Sequence, residues 1–180
     1  LQSLLHTWES VVCSRTAHIH VDECGAPERH LGSKLIDLDT PDGKLTPDQV
    51  RSVYTGIGDE HRSQPRVVSI TQSTEVGTVY SPDEVRALAD TAHALDMYLH
   101  MDGARICNAA ASLGVELRET TGDCGVDVLS FGGTKNGIVG GEAVVFFRPE
   151  LAVSALDIRK QEMQLASKMR FISAQFLALL

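Results

Sequence analysis

Short apolar runs that are rich in β-branched residues alternate with amphipathic stretches along the whole chain. This alternation is typical of an α/β fold, in which a mostly parallel sheet is covered by helices. The runs are brief and almost wholly apolar, as expected for strands that are buried on both faces of a sheet. We predict strands at Ser10–Cys13, His18–Asp22, Leu35–Leu38, Arg66–Thr71, Tyr98–Met101, Asp127–Phe131 and Ala143–Phe147.

Start signals and apolar spacing predict three helices. The segments Thr46–Gln49 and Ser81–Glu84 each begin with a hydroxyl residue, continue with proline and end with the Gln or Glu of a capping box. A third helix is expected from about Ala152 to the end of the chain, because apolar residues recur there at spacings of three and four. These residues are Leu165, Met169, Ile172, Phe176 and Leu179.

Composition and charge limit the possible partners and the location. The chain has 180 residues and a net charge of −8, from 24 acidic and 16 basic residues. An acidic chain of this kind lacks the positive surface that binds nucleic acids or anionic membranes, so we expect neither partner. The four cysteines form no CxxC pair, and a chain of this size folds without disulfides, which favours the reducing environment of the cytoplasm.

The first candidate for chemistry is Asp102, which directly follows the predicted strand Tyr98–Met101 and precedes Gly103 and Arg105. In open α/β sheets, ligands bind at the edge where the carboxyl ends of the strands meet. The alternative is structural: Asp102 and Gly103 would only form a turn, and Asp102 would pair with Arg105 on the surface.

A second candidate is Lys135, in the segment that follows the apolar strand ending at Phe131. Gly132 and Gly133 stand before it and Gly137 after it, so a flat ligand can approach the backbone there. A lysine in a confined and partly dry place has a lowered pKa and becomes a nucleophile. The alternative is a solvated hairpin loop, although a hairpin can also carry a catalytic lysine.

A carboxylate and a lysine at neighbouring strand ends suit pyridoxal phosphate. A lysine holds this cofactor as a Schiff base, and a carboxylate keeps its ring nitrogen protonated. The motifs that place these residues are AHIH at 17–20, HMDGAR at 100–105 and SFGGTKNG at 130–137. With these motifs the chain resembles, over nearly its whole length, the low-specificity L-threonine aldolases. That family belongs to the β-eliminating lyase group of fold-type I pyridoxal-phosphate enzymes, so the resemblance implies an aspartate-aminotransferase-type fold.

The resemblance also implies roles for individual residues. Lys135 and Thr134 would bind the cofactor, and Asp102 would pair with the pyridine nitrogen. His18 would stack on the cofactor ring, and Arg105 would bind the substrate carboxylate, for which a guanidinium is suited. The implied reaction cleaves L-threonine or a related β-hydroxy-α-amino acid to glycine and an aldehyde by retro-aldol chemistry. The enzyme would be a homo-oligomer, a dimer or a tetramer.

One loop departs from the family pattern. Some family members carry a histidine near the substrate hydroxyl, in a Thr-His-Asn-Gly sequence, whereas this chain has Glu75 in the corresponding loop Gln72–Gly77. The group that takes the β-hydroxyl proton therefore stays open among Glu75, His18 and a bound water.

The two ends of the chain and the resemblance together predict a partial domain. The chain begins with Leu1 rather than Met and ends on the apolar segment Phe176–Leu180, so we expect an internal piece of a longer chain. Residues 1–180 would be part of the large cofactor-binding domain. The smaller C-terminal domain and a glycine-rich segment that helps to bind the cofactor phosphate would lie outside these residues.

Two other functions compete with the aldolase hypothesis. On a strand, His18, His20 and Asp22 would project to one face, as in the metal site of a metal-dependent hydrolase. No clear second cluster of ligands follows them in the sequence, so our prediction includes no metal. The other competitor is a non-catalytic fragment, which keeps the sheet of the pyridoxal-phosphate fold but binds no cofactor.

Overall fold

A six-stranded sheet forms the centre of the computed structural model, which describes residues 1–180. Its strands are β1 (Glu9–Ser14), β2 (Lys34–Leu38), β3 (Gln64–Thr71), β4 (Tyr98–Gly103), β5 (Val128–Phe131) and β6 (Ala143–Phe146). They lie in the order β2-β1-β3-β4-β5-β6, and only β6 runs antiparallel to its neighbour. The predicted mostly parallel α/β sheet is therefore confirmed, with six of the seven predicted strands in place.

Seven α-helices accompany the sheet. They are α1 (His18–Val21), α2 (Ala26–Leu31), α3 (Pro47–Val53), α4 (Pro82–Ala94), α5 (Ile106–Leu113), α6 (Ala155–Gln161) and α7 (Arg170–Leu179). Single 3₁₀ turns lie at Leu117–Thr120, Gly122–Cys124, Thr134–Asn136 and Pro149–Ala152. None of the helices is long and apolar enough to cross a membrane.

The helices α3 and α4 begin at the predicted capping boxes. The hydroxyl of Thr46 accepts a hydrogen bond from the backbone N–H of Gln49, and the hydroxyl of Ser81 accepts one from that of Glu84. In return, the side chains of Gln49 and Glu84 accept from the backbone N–H groups of the two cap residues. These bonds satisfy N–H groups that lack a partner in the first turn of a helix.

The core lies on both faces of the sheet. On one face, inward residues of the strands pack against α3, α4 and α5; the fully buried members are Val12, Val50, Val68, Val85, Ala92, Leu99, Met101 and Ile106. On the other face, a smaller cluster contains Leu4, Val11, Cys13, Ala17, Leu35, Val67, Val128 and Leu151. Burial on both faces explains why the strands are nearly continuous apolar runs.

The prediction of a strand at His18–Asp22 is wrong, because residues His18–Val21 form α1. The strand before it ends at Ser14, where the N–H of Ala17 donates to the carbonyl of Ser14 and turns the chain. The apolar residues Ile19 and Val21 alternate with polar ones, but a period-two pattern over five residues is too short to distinguish a strand from one helical turn.

The prediction of one continuous helix from Ala152 is also wrong. The segment forms a 3₁₀ turn, then α6, then α7 after an interruption of eight residues, 162–169. Within the interruption, Met163 and Lys168 adopt left-handed backbone conformations with φ of 58° and 62°. A left-handed residue ends a right-handed helix, so Leu165 and Met169 lie in the interruption and only Ile172, Phe176 and Leu179 of the apolar series lie on α7.

Candidate active site

The carboxyl ends of four adjacent parallel strands meet at one edge of the sheet. His18 follows β1, Glu75 follows β3, Asp102 lies at the end of β4, and Lys135 follows β5. Because parallel strands present their carboxyl ends on the same side, residues far apart in sequence converge there. The structure thus brings four of the predicted site residues to one place.

Asp102 lies at the centre of this edge. Its Oδ1 accepts a hydrogen bond of 3.0 Å from the backbone N–H of Ala104. Burial raises the pKa of the Asp102 carboxyl above its usual value, and the negative charge of Glu75 raises it further, while His18 and Lys135 act in the opposite direction. These three effects agree with the placement of the groups at the same sheet edge, and a carboxyl with a pKa raised by burial is typical of functional sites.

The loop that carries Lys135 is tightly packed against the loop after β4. A Cβ on Gly132 would lie 2.6 Å from the Cα of Ala104, and a Cβ on Gly133 would lie 2.5 Å from the carbonyl oxygen of Gly141. Only glycine allows this approach. The Lys135 side chain itself is exposed at the surface of the edge.

Thr134 closes the same loop rather than reaching toward Asp102. Its hydroxyl accepts a hydrogen bond of 3.1 Å from the N–H of Gly141, and its own N–H donates to the carbonyl of Gly141 at 3.1 Å. The predicted cofactor contact of Thr134 is not tested by this geometry, but the bonds fix the backbone next to Lys135.

Arg105 forms an ion pair with Glu75. The distance from Arg105 Nη1 to Glu75 Oε1 is 3.7 Å, and the guanidinium is about one-third exposed. The structural alternative, a surface pair between Arg105 and Asp102, is therefore not what the chain forms. The contact joins the loop after β3 to the start of α5, so the two loops flank Asp102.

Two buried atoms of the site lack a hydrogen-bond partner. They are Nδ1 of His18 and Oε1 of Glu75. Each has only a longer contact with a charged group: His18 Nδ1 lies 3.6 Å from Asp22, and Glu75 Oε1 lies 3.7 Å from Arg105. Buried polar atoms normally have partners, so these two mark a place where a ligand or water completes the site.

The structure gives no support to the metal site of the competing hypothesis. On α1, successive side chains are rotated by about 100°, so His18 and His20 point in different directions. His20 Nε2 lies 3.9 Å from Asp37, whereas His18 Nδ1 approaches Asp22. No group of three His, Cys, Asp or Glu side chains in the structure could hold a metal ion.

His100 received no role from the sequence, yet it forms a buried link beneath the site. Its Nδ1 and Nε2 are each 2.9 Å from a hydroxyl, those of Ser69 on β3 and Ser130 on β5. Burial, with a smaller effect from the N-terminal amino group, lowers the pKa of His100 to about 3, so the ring is neutral at pH 7. His100 and Asp102 are two residues apart on β4, so their side chains face the same side of the sheet.

Asn136 is the other residue to which the sequence assigned no role. Its side chain contacts the loop after β4 and the first turn of α5. Its position next to Lys135 was the only sequence signal for a functional role of Asn136. The sequence pattern does not show which backbone groups the side chain contacts.

Comparison with known proteins agrees with this geometry. A family model described as beta-eliminating lyase matches residues 1–179. A Thermus thermophilus aspartate aminotransferase mutant shares the fold, with a TM-score of 0.53 and 16% identity over 72% of this chain and 34% of that chain. The chain thus has a fold of the aspartate-aminotransferase type. Within that class, it belongs to the beta-eliminating lyase family.

Two relatives are more similar. A low specificity L-threonine aldolase from Pseudomonas sp. is 53% identical over 100% of this chain and 52% of its own length. The structure of a threonine aldolase from Leishmania major superposes with a TM-score of 0.92 and 31% identity, over 99% of this chain and 52% of that one. The chain spans about half the length of the curated relatives it matches over its whole length.

Enzymes of this family depend on pyridoxal phosphate, and the edge of the sheet has side chains that suit that group. Asp102 is a partly buried carboxyl of the kind that pairs with a ring nitrogen, and Lys135 is an amine that follows the neighbouring strand at the same sheet edge. His18 offers a flat ring with an unpartnered nitrogen. The donor set therefore fits the cofactor.

Proposed function

We propose that the protein containing this chain cleaves L-threonine or a related β-hydroxy-α-amino acid to glycine and an aldehyde. The observation that carries the proposal is the partly buried carboxyl of Asp102, which shares one sheet edge with Lys135, His18 and Glu75. The high identity to a low specificity L-threonine aldolase supports the substrate class. The cofactor is pyridoxal phosphate, which when bound accepts the electrons of the bond that breaks.

Lys135 and Asp102 are proposed to bind and tune the cofactor. Lys135 supplies the amine for covalent attachment, and Thr134 holds the adjacent backbone. Asp102 holds a proton on the pyridine nitrogen, which requires a carboxylate beside a cationic ring. Burial makes this interaction stronger than it would be in water, because few water molecules screen the charges.

On the substrate side, Arg105 is proposed to bind the α-carboxylate. Arg105 holds Glu75 at 3.7 Å, so a substrate carboxylate that takes its place frees the Glu75 carboxylate. Glu75 and His18 are the two acceptors proposed for the β-hydroxyl proton, because each has a buried atom without a hydrogen-bond partner. They follow the neighbouring strands β3 and β1, which both lie on the same side of β4 and Asp102.

The remaining features of the whole protein are also proposals. Residues 1–180 form part of the large cofactor-binding domain of a homo-oligomer. A cytoplasmic location is supported by the four cysteines, all of which are free thiols.

The test is to compare Lys135→Ala with Lys34→Ala in the intact protein. Lys34 is an exposed lysine at the start of β2, at the opposite edge of the sheet, and serves as the control. With added pyridoxal phosphate, the unaltered protein and the control should show the visible absorption band of a lysine-bound cofactor. Borohydride reduction and peptide mapping should place the label on Lys135.

Turnover of L-threonine, measured as the release of aldehyde, should disappear in Lys135→Ala and persist in the control. No absorption band in the unaltered protein would contradict the proposal and favour the non-catalytic fragment. A band without aldehyde release from any β-hydroxy-α-amino acid would leave the cofactor site but contradict the aldolase activity.

A further inference from the structure

Asn136 is the residue through which the Lys135 loop is bonded to the Asp102 side of the site. Its Nδ2 donates to the carbonyl oxygens of Gly132 at 2.6 Å and Ala104 at 3.3 Å, with a longer contact of 3.5 Å to Gly103. Its Oδ1 accepts from the backbone N–H of Cys107 at 3.1 Å. The amide is thus used at both ends, which also fixes its orientation.

These partners lie on the two segments that carry the proposed chemistry. Gly132 belongs to the loop of Lys135, whereas Gly103 and Ala104 lie between Asp102 and Arg105, and Cys107 lies in the first turn of α5. Arg105 is the N-terminal cap residue of α5, and its side chain makes no capping hydrogen bond. Asn136 therefore supplies the cap from the neighbouring loop, and it holds both segments with one side chain.

We propose that Asn136 is a positioning residue that sets the placement of Lys135 relative to Asp102 and Arg105. The inference rests on the proposed function, because it assigns Asn136 to the same site. A displacement of about 1 Å between reacting groups costs about a hundredfold in rate, so a side chain that fixes two loops matters without touching the substrate.

A purely structural role makes a different prediction from a positioning role. If Asn136 only caps α5, the required atom is its acceptor Oδ1, which Asn136→Asp keeps. If Asn136 positions the lysine loop, the required group is its Nδ2 donor. Asn136→Asp loses that donor and places a carboxylate next to carbonyl oxygens, which it repels. Asn136→Ala removes both functions and adds no charge.

The experiment uses the intact protein with Asn136→Ala and Asn136→Asp. The control is Asn108→Asp, the same substitution at the chain's only other asparagine, which is exposed on α5. The first readout is the rate at which added pyridoxal phosphate forms the lysine-bound absorption band. The second is the pH midpoint of that band, and the third is the separation of kcat from KM for L-threonine. Thermal unfolding checks that each variant is folded.

Both Asn136 variants should slow formation of the band at least about tenfold, because the loop loses its hydrogen bonds to the Asp102 side. They should lower kcat about a hundredfold with little change in KM, and shift the pH midpoint of the band. Asn108→Asp should match the unaltered protein in all three readouts. Asn136→Asp keeps the size of the side chain and the cap of α5, so it provides the test where Asn136→Ala yields no folded protein.

Three results would overturn the inference. Asn136→Asp with unaltered band formation and kcat would show that only the helix cap matters. Losses in thermal stability alone, with the pH midpoint and kcat retained, would make Asn136 structural. If the unaltered protein forms no band, the proposed function is refuted, and this inference with it. That outcome is recognised because Lys135→Ala then gives the same spectrum as the unaltered protein.

Discussion

Gly132 is the point of closest approach between the two loops of the site, so Gly132→Ala tests whether that approach matters. The added Cβ would meet the Cα of Ala104 at 2.6 Å, its carbonyl oxygen at 2.7 Å and its carbonyl carbon at 3.0 Å. All three are backbone atoms, which cannot rotate away as a flexible side chain can. The backbone of the Lys135 loop must therefore move.

The size of the effect follows from these contacts. Ordinary contact begins near 3.4 Å, so the gap between Gly132 and Ala104 must open from 2.6 Å to about that value. The loop resists, because the N–H of Gly132 donates to Gly103 at 3.1 Å and its carbonyl accepts from Asn136 at 2.6 Å. Overpacking of this kind costs about 1–3 kcal/mol of stability. A shift approaching 1 Å at Lys135 should lower kcat about a hundredfold.

The assay measures thermal unfolding, cofactor binding and aldehyde release for Gly132→Ala and for a matched control, Gly140→Ala. Gly140 lies in the same loop region and has no positive φ, and a Cβ added to it would have no heavy atom within 4 Å. The control should behave as the unaltered protein does, while Gly132→Ala should lose about 2–4 °C in Tm for each kcal/mol. Equal Tm and kcat in the two variants would refute the claim that the contact positions Lys135.

Two further substitutions test Asp102 within the site and His100 beneath it. Asp102→Asn removes a carboxyl whose pKa is raised mainly by burial, so in calorimetry the cofactor-free variant should have a higher Tm than the unaltered protein at pH 7. This gain in Tm should vanish as pH falls through the pKa of Asp102, since the unaltered folded protein then holds a neutral acid. Turnover by Asp102→Asn should drop about 10²–10³-fold at all pH values. A lower Tm of the variant at pH 7 would contradict the argument. His100→Ala leaves the hydroxyls of Ser69 and Ser130 without their buried partner and opens a cavity, so urea unfolding should show a loss of about 3 kcal/mol. The pKa of His100 is about 3 in the folded state, whereas a histidine in the unfolded chain binds a proton as pH falls below about 6.5. The stability of the unaltered protein should therefore decrease as pH falls below about 6.5, and that of His100→Ala should decrease less steeply.

Local signals predicted the parts of the fold that depend on neighbouring residues. The capping boxes at Thr46 and Ser81 place hydroxyl, proline and acceptor within four residues, so both helix starts could be read directly. The helix α5 was missed, because Arg105 makes no capping bond of its own. Its cap comes from Asn136, a residue distant in sequence, and no local pattern records that contact.

The site was predictable to the extent that strand ends define it. Asp102 and Lys135 each follow an apolar strand, and parallel strands end at one edge, so their convergence follows from the α/β class. The ion pair between Arg105 and Glu75 was not predictable in this way. It depends on the paths of two loops, and the sequence had suggested Asp102 as the partner of Arg105.

The short segment after β1 shows how a local error in secondary structure changes a functional hypothesis. As a strand, this segment would put His18, His20 and Asp22 on one face, which is the premise of a metal site. As helix α1, it separates the two histidines by about 200°, so that only His18 acts on the charge of Asp102. The two histidines therefore do not share one face, and one imidazole with an unpartnered nitrogen lies at the edge where Lys135 lies. The hydrogen bond from the N–H of Ala17 to the carbonyl of Ser14 turns the chain after β1. This turn, and not the composition of the segment, separates the cofactor hypothesis from the metal-site hypothesis.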